Sequence, residues 1–312
     1  MTLIDQHGRR LKKLRLSLID ACNMRCPYCM PDNPVFMKKD QWLSVKEVED
    51  LVSKLLSFGI EEVRLTGGEP LLRPDFLEIA QALSLLPLKS LSLTTNAVHL
   101  SQLLIDLKKT KIRKINISLD SLQRDMFKRL SGLDELETVL EAIFRAQELG
   151  FEVKINCVVM RGLNHPELLD FVKFSSTHQI PVPFLELMKI GVMARESAHQ
   201  YFFSQQEMKD IILSQHTLTL LKSEQDSTST NFKVGSARIG FIASETDEFC
   251  SGCSRLRVDA TGKVYPCLFK DQGVSLRGKD LEEISQILNI IKDEKPLTRL
   301  PSVERVMHMI GG

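Results

Sequence analysis

The stretch Asp20-Ala-Cys-Asn-Met-Arg-Cys-Pro-Tyr-Cys-Met-Pro31 lies between two segments of regular pattern. Before it, residues 14–19 form a short apolar run that is typical of a β-strand. After it, residues 45–58 carry apolar side chains on one helical face, and Ser44 with Glu47 forms a capping box at the start. The chain therefore begins with a strand, a cysteine-rich loop and a helix.

The same unit recurs along the first two-thirds of the chain. Further strands are predicted at 62–65, 90–94, 114–119, 153–159 and 184–188. Further helices are predicted at 75–85, about 100–109, 133–149 and 167–178. Six such units predict an α/β fold with a parallel sheet covered by helices. Six are too few for a complete eight-unit barrel but enough for a partial one, and a doubly wound sheet has the same periodicity.

Beyond the sixth strand the pattern changes to shorter segments, including a polar stretch at 223–231. Two strands are predicted there, at 237–242 and 256–259. We therefore expect two domains, residues 1–224 and a smaller region at 225–312 that packs against the sheet.

Composition excludes several classes of protein. The 312 residues include 41 basic and 40 acidic side chains, and 43% are hydrophobic, as in ordinary globular proteins. This balance gives no reason to expect a nucleic-acid or membrane partner. Because no apolar run is long enough to span a bilayer and the N-terminus has no apolar signal region, we expect a cytoplasmic protein. Seven cysteines in a reducing cytoplasm would not form a disulfide framework.

Three of the cysteines, Cys22, Cys26 and Cys29, follow the first strand with C-x3-C-x2-C spacing. Three thiolates in one tight loop suit a [4Fe–4S] cluster, and they leave one iron open for a small molecule. The alternatives are a zinc knuckle or buried packing cysteines. Zinc usually needs a fourth local ligand, and the nearest histidine is His7.

A second trio, Cys250, Cys253 and Cys267, has C-x2-C-x13-C spacing. Its distance along the chain from the first trio indicates a second metal site, although this spacing alone would also fit three zinc ligands. The remaining Cys157 lies in a predicted buried strand, so we expect it to pack as a small apolar side chain.

The first trio, with Tyr28 before its last cysteine, closely resembles the signature of the radical S-adenosylmethionine (SAM) superfamily. Other segments narrow the resemblance: Arg64-Leu-Thr-Gly-Gly-Glu-Pro-Leu-Leu-Arg73, Thr94-Thr-Asn96, Ser118-Leu-Asp-Ser-Leu122, Phe249-Cys-Ser-Gly-Cys-Ser-Arg-Leu-Arg257 and Gly311-Gly312. Together they resemble the GTP 3′,8-cyclase family of molybdenum cofactor biosynthesis over nearly the whole chain. The second trio with Arg-Leu-Arg and the Gly-Gly tail give the resemblance its specificity.

The resemblance implies a partial (β/α)6 TIM-type barrel, closed by a C-terminal region that carries the second cluster. It implies two [4Fe–4S] clusters with three cysteine ligands each, and SAM as cofactor. Reductive cleavage of SAM would give a 5′-deoxyadenosyl radical that abstracts the 3′ hydrogen of GTP, after which ribose C3′ bonds to guanine C8. The implied partners are GTP, a reducing electron donor, a cyclic pyranopterin monophosphate synthase downstream, and a second copy in a homodimer.

The resemblance also implies which residues form the site. The implied SAM contacts are Tyr28, Gly67, Gly68, Glu69, Ser118 and Met188. The implied GTP contacts are Arg15, Arg64, Thr94, Lys154, Arg255, Leu256 and Arg257. The tail residues Gly311 and Gly312 would insert toward the active site, whereas a frayed end is the ordinary alternative.

Residue chemistry supports some of these positions independently. Gly67 and Gly68 allow close approach of a backbone at the carboxyl end of a strand, although a plain turn would also use them. Arg255 and Arg257 alternate on a strand, so both can face one pocket, and arginine forks suit phosphate oxygens.

Some positions depart from the family pattern. Pro183 stands where relatives commonly have a basic residue, so that charge is missing or supplied by Lys189 or Arg195. Ser254 replaces the usual asparagine after the second cluster cysteine. These departures concern triphosphate contacts rather than the reaction class.

Two other functions compete with the cyclase. One is a radical SAM peptide- or protein-modifying enzyme with an auxiliary cluster, which would carry more C-terminal cysteines. The other is a zinc-stabilised binding module. The segment 273–279 fits the first seven positions of a P-loop, but Asp280 stands where a Ser or Thr should hold magnesium, so we interpret it as a chance match.

Overall fold

A single twelve-stranded sheet organises the protein in the computed structural model, which describes residues 2–190, 198–223, 226–301 and 307–311. The strands are β1 (Lys13–Ser17), β2 (Glu62–Thr66), β3 (Ser90–Thr95), β4 (Ile112–Ser118), β5 (Glu152–Val159), β6 (Val182–Glu186), β7 (Thr219–Leu220), β8 (Thr230–Val234), β9 (Ala237–Ile242), β10 (Arg255–Val258), β11 (Lys263–Tyr265) and β12 (Val274–Ser275).

The strand order is β12-β11-β10-β1-β2-β3-β4-β5-β6-β9-β8-β7. Strands β1 to β6 are parallel neighbours in the order of the chain, with no point where the order reverses. A doubly wound sheet would reverse its order at a switch point. The prediction of a partial barrel is therefore confirmed.

The C-terminal segments extend both edges of this sheet. Strand β10 pairs in parallel with β1, and β9 pairs in parallel with β6. Strand β9 has the predicted bounds, and β10 begins one residue before its predicted start. Strand β8 begins inside the predicted polar stretch, because its side chains lie at the outer, partly exposed part of the sheet. The predicted domain boundary at 224–225 lies outside the described residues.

The described residues form nine α-helices. They are α1 (Val45–Leu56), α2 (Phe76–Leu85), α3 (Leu104–Leu107), α4 (Arg124–Ser131), α5 (Leu136–Glu148), α6 (Leu168–His178), α7 (Ala198–Tyr201), α8 (Gln205–Leu213) and α9 (Leu281–Asp293). Within the described ranges, none has the length and apolar character that a membrane crossing requires. Helices α4, α7, α8 and α9 were not predicted.

Helix caps agree with the sequence pattern. The Ser44 hydroxyl accepts a hydrogen bond from the Glu47 amide, and the Ser44 amide donates to the Glu47 carboxylate, as predicted for the capping box. Asp280 forms the same kind of box with Glu283 at the start of α9. The P-loop-like segment therefore leads into an ordinary helix cap.

Strand alternation separates the core from an inner cavity. On β5, the side chains of Val153, Ile155 and Cys157 pack in the main hydrophobic core, while Lys154 and Asn156 line the cavity. Cys157 is 1% exposed, which confirms the expectation that it is a core residue.

Candidate active site

Both cysteine trios line one cavity inside the partial barrel. Besides the cysteines, the sequence analysis predicts fifteen site residues. Twelve of these also line the cavity: Arg15, Tyr28, Arg64, Gly67, Gly68, Glu69, Thr94, Ser118, Lys154, Met188, Arg255 and Arg257. The fold thus brings together residues that are far apart in the chain.

The two trios lie at opposite ends of the parallel strands. The first trio follows the carboxyl end of β1. Cys253 lies two residues before Arg255, which pairs with Lys13 at the amino end of β1. Cys267 follows β11, which is antiparallel to β10, so it emerges at the same amino end. From Lys13 to Ser17, β1 rises about 13 Å at ~3.3 Å per residue, so the cavity runs along the strands between the trios.

Three arginines form a row across the cavity wall. In the sheet register, Arg15 on β1 pairs with Arg257 on β10 at one side and with Arg64 on β2 at the other. Burial, reinforced by the charges of Arg257 and Arg64, holds the pKa of Arg15 well below its usual value. Burial also lowers the pKa of Arg257 to about 10. Such a concentration of buried positive charge favours an anion in the cavity.

Lys154 adds a fourth cation on the neighbouring wall. In the register it lies beside Asn116, which in turn lies beside Thr94. Burial, with smaller contributions from Arg64 and Arg15, lowers the pKa of Lys154 to about 8. Its charge therefore depends on the pH and on whether an anion is bound.

Several polar atoms of the cavity wall have no hydrogen-bond partner within the described part of the protein. They are Oγ1 of Thr94, Oδ1 of Asn156 and Oγ of Ser244, all of them buried. A buried polar group without a partner costs about 1–3 kcal/mol. These atoms are suited to a polar ligand that would complete their hydrogen bonds.

The Gly-Gly-Glu turn after β2 packs closely against the first cysteine loop. A Cβ atom on Gly67 would lie 2.5 Å from the carbonyl oxygen of Ile19, and one on Gly68 would lie 2.4 Å from that of Ala21. The Gly68 amide donates to the Ile19 carbonyl at 2.7 Å. The close approach that the sequence predicted is therefore made to the protein's own backbone.

Glu69 organises the same turn from inside. Its carboxylate accepts hydrogen bonds from the Thr95 hydroxyl at 2.7 Å, the Asn96 amide at 2.6 Å and the Leu71 amide at 3.0 Å. Burial nevertheless raises the pKa of Glu69 to about 7. The Asn96 side chain continues the network to Asn23 in the cysteine loop, at 2.7 Å.

Tyr28 anchors the first cysteine loop to the strand ends. Its hydroxyl donates to Oδ2 of Asp120 at 2.6 Å, and the Val158 amide donates to Oδ1 of the same carboxylate at 2.8 Å. Burial raises the pKa of Asp120 to about 6. The loop is therefore tied to the ends of β4 and β5.

The thiols of the first trio lie in a setting that suits an iron–sulfur cluster. Burial raises the pKa of Cys22 to about 11, and burial together with the Cys22 charge raises that of Cys29 to about 12. All three thiols are free and partly exposed to the cavity. Three adjacent thiolates need positive charge among them, which the irons of a cluster supply.

The second trio has a different electrostatic setting. Burial alone would raise the pKa of Cys253, but the charges of Arg255 and Lys295 lower it to about 6. Burial raises that of Cys250 to about 11. In the described ranges, no group of three or more His, Cys, Asp or Glu side chains is placed to hold a metal ion.

The C-terminal segment reaches the cavity wall. The Gly311 carbonyl accepts a hydrogen bond from Arg257, and a Cβ atom on Gly311 would lie 2.0 Å from Oγ1 of Thr66. Nδ1 of His308 donates a hydrogen bond to the carbonyl oxygen of Asp20 at 2.8 Å. Gly312 lies outside the described residues.

Some predicted residues do not meet the cavity. Leu256 is fully buried in the hydrophobic core, on the face of β10 opposite Arg255 and Arg257. Lys189 is exposed and pairs with Glu245 at 3.8 Å, and Arg195 lies outside the described residues.

Sequence reasoning missed several residues of the cavity wall. They are Asp120, Asn156, Ser244, Lys295 and Arg299. Arg299 supplies a cation beside the end of β6, where it pairs with Glu245 at 3.1 Å. A Lys-Pro pair just after an amphipathic helix was the only local signal for Lys295, and it is not specific.

Comparisons with known proteins find similar sequences over nearly the whole chain. The model of the radical SAM superfamily matches residues 16–175, and the model described as Molybdenum Cofactor Synthesis C matches residues 180–297. The GTP 3′,8-cyclase of Synechocystis sp. is 39% identical over 312 residues, which cover 100% of this chain and 95% of that protein. The GTP 3′,8-cyclase of Aquifex aeolicus is 38% identical, in an alignment that covers 99% of this chain and 100% of that protein.

A solved structure supports the fold. Streptococcus suis SuiB bound to S-adenosylmethionine matches with a TM-score of 0.66 at 16% identity, over 92% of this chain and 69% of that one. At this identity the match shows a shared fold and carries nothing about substrate.

Proposed function

Because the chain belongs to the GTP 3′,8-cyclase family of the radical SAM superfamily, we propose that it cyclises GTP between ribose C3′ and guanine C8 in molybdenum cofactor biosynthesis. The observation that carries this proposal is the single cavity with a cysteine trio at each end and a row of arginines between them. That arrangement separates a radical-generating end from a substrate-holding end.

The first trio, Cys22, Cys26 and Cys29, is proposed to hold the SAM-binding [4Fe–4S] cluster, and the second trio to hold the other cluster. Each set supplies three thiolates, so each cluster keeps one iron free of protein ligands. When bound, the first cluster together with SAM would supply the radical chemistry that the reaction at ribose C3′ requires. The chain's own residues position the two ligands and exclude water.

At the first cluster, the residues mainly position the loop and the cofactor. Gly67 and Gly68 hold the cysteine loop against β2, and Glu69 fixes the turn through three hydrogen bonds. Tyr28, Ser118 and Met188 line the wall around the same space. We assign these six residues to SAM binding, with Glu69 acting through the turn that it organises.

In the middle of the cavity, the cations would hold the triphosphate. Arg15, Arg64 and Arg257 lie side by side in the register, and arginine forks bind phosphate oxygens in pairs of hydrogen bonds. Lys154 and Arg255 add charge, and Thr94 offers an unpartnered hydroxyl. Leu256 is expected to contribute only through its backbone, because its side chain faces the core.

The tail would complete the pocket. Gly311 is buried and bonded to Arg257, which supports insertion of the C-terminal Gly-Gly pair toward the substrate. On family grounds we also propose an external electron donor, a downstream cyclic pyranopterin monophosphate synthase, a homodimer and a cytoplasmic location. The division at residues 224 and 225 remains a proposal as well.

An anaerobic assay tests the activity. Reconstituted protein with dithionite, SAM and GTP should produce 5′-deoxyadenosine together with a cyclic GTP-derived product. ATP, CTP and UTP in place of GTP should yield no cyclised product. Equal deoxyadenosine formation with and without GTP would contradict the substrate assignment, and zinc without acid-labile sulfide in the purified protein would contradict the cluster assignment.

A further inference from the structure

A buried lysine lies beside the second cysteine trio. Lys295 follows α9 by two residues and is 2% exposed. Its ammonium group donates hydrogen bonds to the carbonyl oxygens of Arg255 at 2.7 Å and Pro266 at 2.9 Å. Arg255 lies two residues after Cys253, and Pro266 directly precedes Cys267. The lysine therefore bridges the two backbone segments that carry these cysteines.

No carboxylate offsets this charge within the described residues. The negative groups that act on Lys295 are the sulfurs of Cys253 and Cys267, and its side chain also hydrogen-bonds to Cys253; these contacts oppose the lowering of its pKa by burial. Nearby Arg9 provides a contrast, because it is also buried but pairs with Asp5 at 2.6 Å. Arg9 also donates to the carbonyls of Cys250, Lys295 and Pro296, so the lysine backbone is held in place.

Burying an ammonium group is costly unless a negative charge compensates it. A [4Fe–4S] core of charge 2+ with three thiolates carries one net negative charge, and one-electron reduction adds a second. The two neutral carbonyl oxygens accept hydrogen bonds from two N–H groups of Lys295, but they do not neutralise its charge. The cluster is the only partner of opposite charge that the described surroundings leave for it.

We propose that Lys295 is the internal counter-charge of the second cluster and raises the reduction potential of that cluster. The proposal rests on the assignment of Cys250, Cys253 and Cys267 as its ligands. Because the reduced cluster carries the greater negative charge, a fixed positive charge beside it stabilises the reduced form more than the oxidised form. Lys295 thus acts as a positioning and electrostatic residue, not as a ligand.

The test is a redox titration of the reconstituted full-length protein, followed by electron paramagnetic resonance. A variant with serine at all three cysteines of the first trio identifies the signal of the second cluster. We expect Lys295→Gln, which keeps a donor for the two carbonyls but removes the charge, to decrease the equilibrium constant for one-electron reduction at least about tenfold, or about 59 mV. Lys295→Arg should stay close to the wild type.

The matched control is Lys292→Gln, at the end of the same helix, where the lysine pairs with Asp293 at 3.4 Å. An unchanged potential in Lys295→Gln, or an equal shift in Lys292→Gln, overturns the proposal. Loss of four irons from the Gln variant but not from the Arg variant would show that the charge is needed to retain the cluster. That result would support the proposal. Loss from both variants would show a packing role and overturn it. If the wild type itself holds only four irons, the ligand assignment has failed instead.

Discussion

Arg257, in the middle of strand β10, donates a hydrogen bond to the carbonyl oxygen of Gly311, the penultimate residue of the chain. Gly311 also packs against Thr66, where a Cβ atom would lie 2.0 Å from the hydroxyl oxygen. The end of the chain therefore meets two strands of the barrel at the level of the arginine row. This contact explains how Gly311 can belong to the candidate active site.

Substitution of Gly311 by alanine should displace the tail. The residue has a φ of +71° and no space for a Cβ atom, so alanine strains the backbone and collides with Thr66. We expect kcat/KM for GTP to fall about tenfold or more, with the iron content unchanged. Deletion of residues 311 and 312 should act in the same direction.

Gly278→Ala is the control for this variant. Gly278 has a φ of +72° but open space around the position of a Cβ atom. It tests the cost of the backbone conformation without the collision, and its kinetics should match the wild type. Equal activity of Gly311→Ala and the wild type would contradict a role for the tail.

Gly68→Ala should impair the first cluster and spare the second. The new methyl group would lie 2.4 Å from the Ala21 carbonyl and 2.5 Å from that of Asp20, so the cysteine loop must move. Iron and sulfide analysis should show about four irons per chain, and SAM binding should be lost. Retention of about eight irons with normal SAM affinity would show that the loop does not depend on this contact.

The affinity for GTP should decrease as the pH rises above about 8. Burial lowers the pKa of Lys154 to about 8, and the triphosphate binds its protonated form, so deprotonation at higher pH removes one attractive charge. Lys154→Arg should remove this decrease because the guanidinium stays charged. Lys154→Met should bind GTP at least about tenfold more weakly at pH 7.

Anaerobic isothermal titration calorimetry across pH 6.5–9.5, about 1.5 units on either side of that pKa, measures these affinities. The control is Lys114→Met, which removes an exposed lysine paired with Glu152 at 3.6 Å. Its affinity for GTP should stay within about twofold of the wild type. A pH profile in Lys154→Arg identical to that of the wild type would show that another group titrates.

Cys267→Ser should spare the first cluster but stop turnover. We expect the iron content to fall from about eight to about four per chain, with SAM binding retained. Cys157→Ala is the control, because Cys157 is a buried core residue and its loss should leave about eight irons. Full activity of Cys267→Ser would remove the second cluster from the mechanism.

Most of the parallel core was predictable from local pattern. The six central strands were located to within two residues at their starts, because apolar runs bounded by polar turns mark buried strands well. The missed helices are short or lie outside the repeating units: α4 has eight residues, and α7, α8 and α9 lie beyond the sixth strand, where the alternation of strands and helices ends.

The candidate site was predicted residue by residue from motifs, but its arrangement was not. The spacing of Cys22, Cys26 and Cys29 indicates a cluster whatever the fold around it. In contrast, nothing in the sequence near Lys295 shows that it lies beside Cys253 and Cys267. The contact joins segments that are distant in the chain, and local periodicity gives no information about which distant segments meet.

By itself, the sequence determined the chemistry: two trios of thiolates, a Gly-Gly-Glu turn, and a sheet of parallel strands. Only the tertiary structure decided where these groups lie. Pairing of β10 with β1 and of β9 with β6 places the two trios at opposite ends of one cavity and aligns Arg257, Arg15 and Arg64 between them. The physical reason is that strand register across such long separations depends on which distant surfaces bury each other, and no local propensity encodes it.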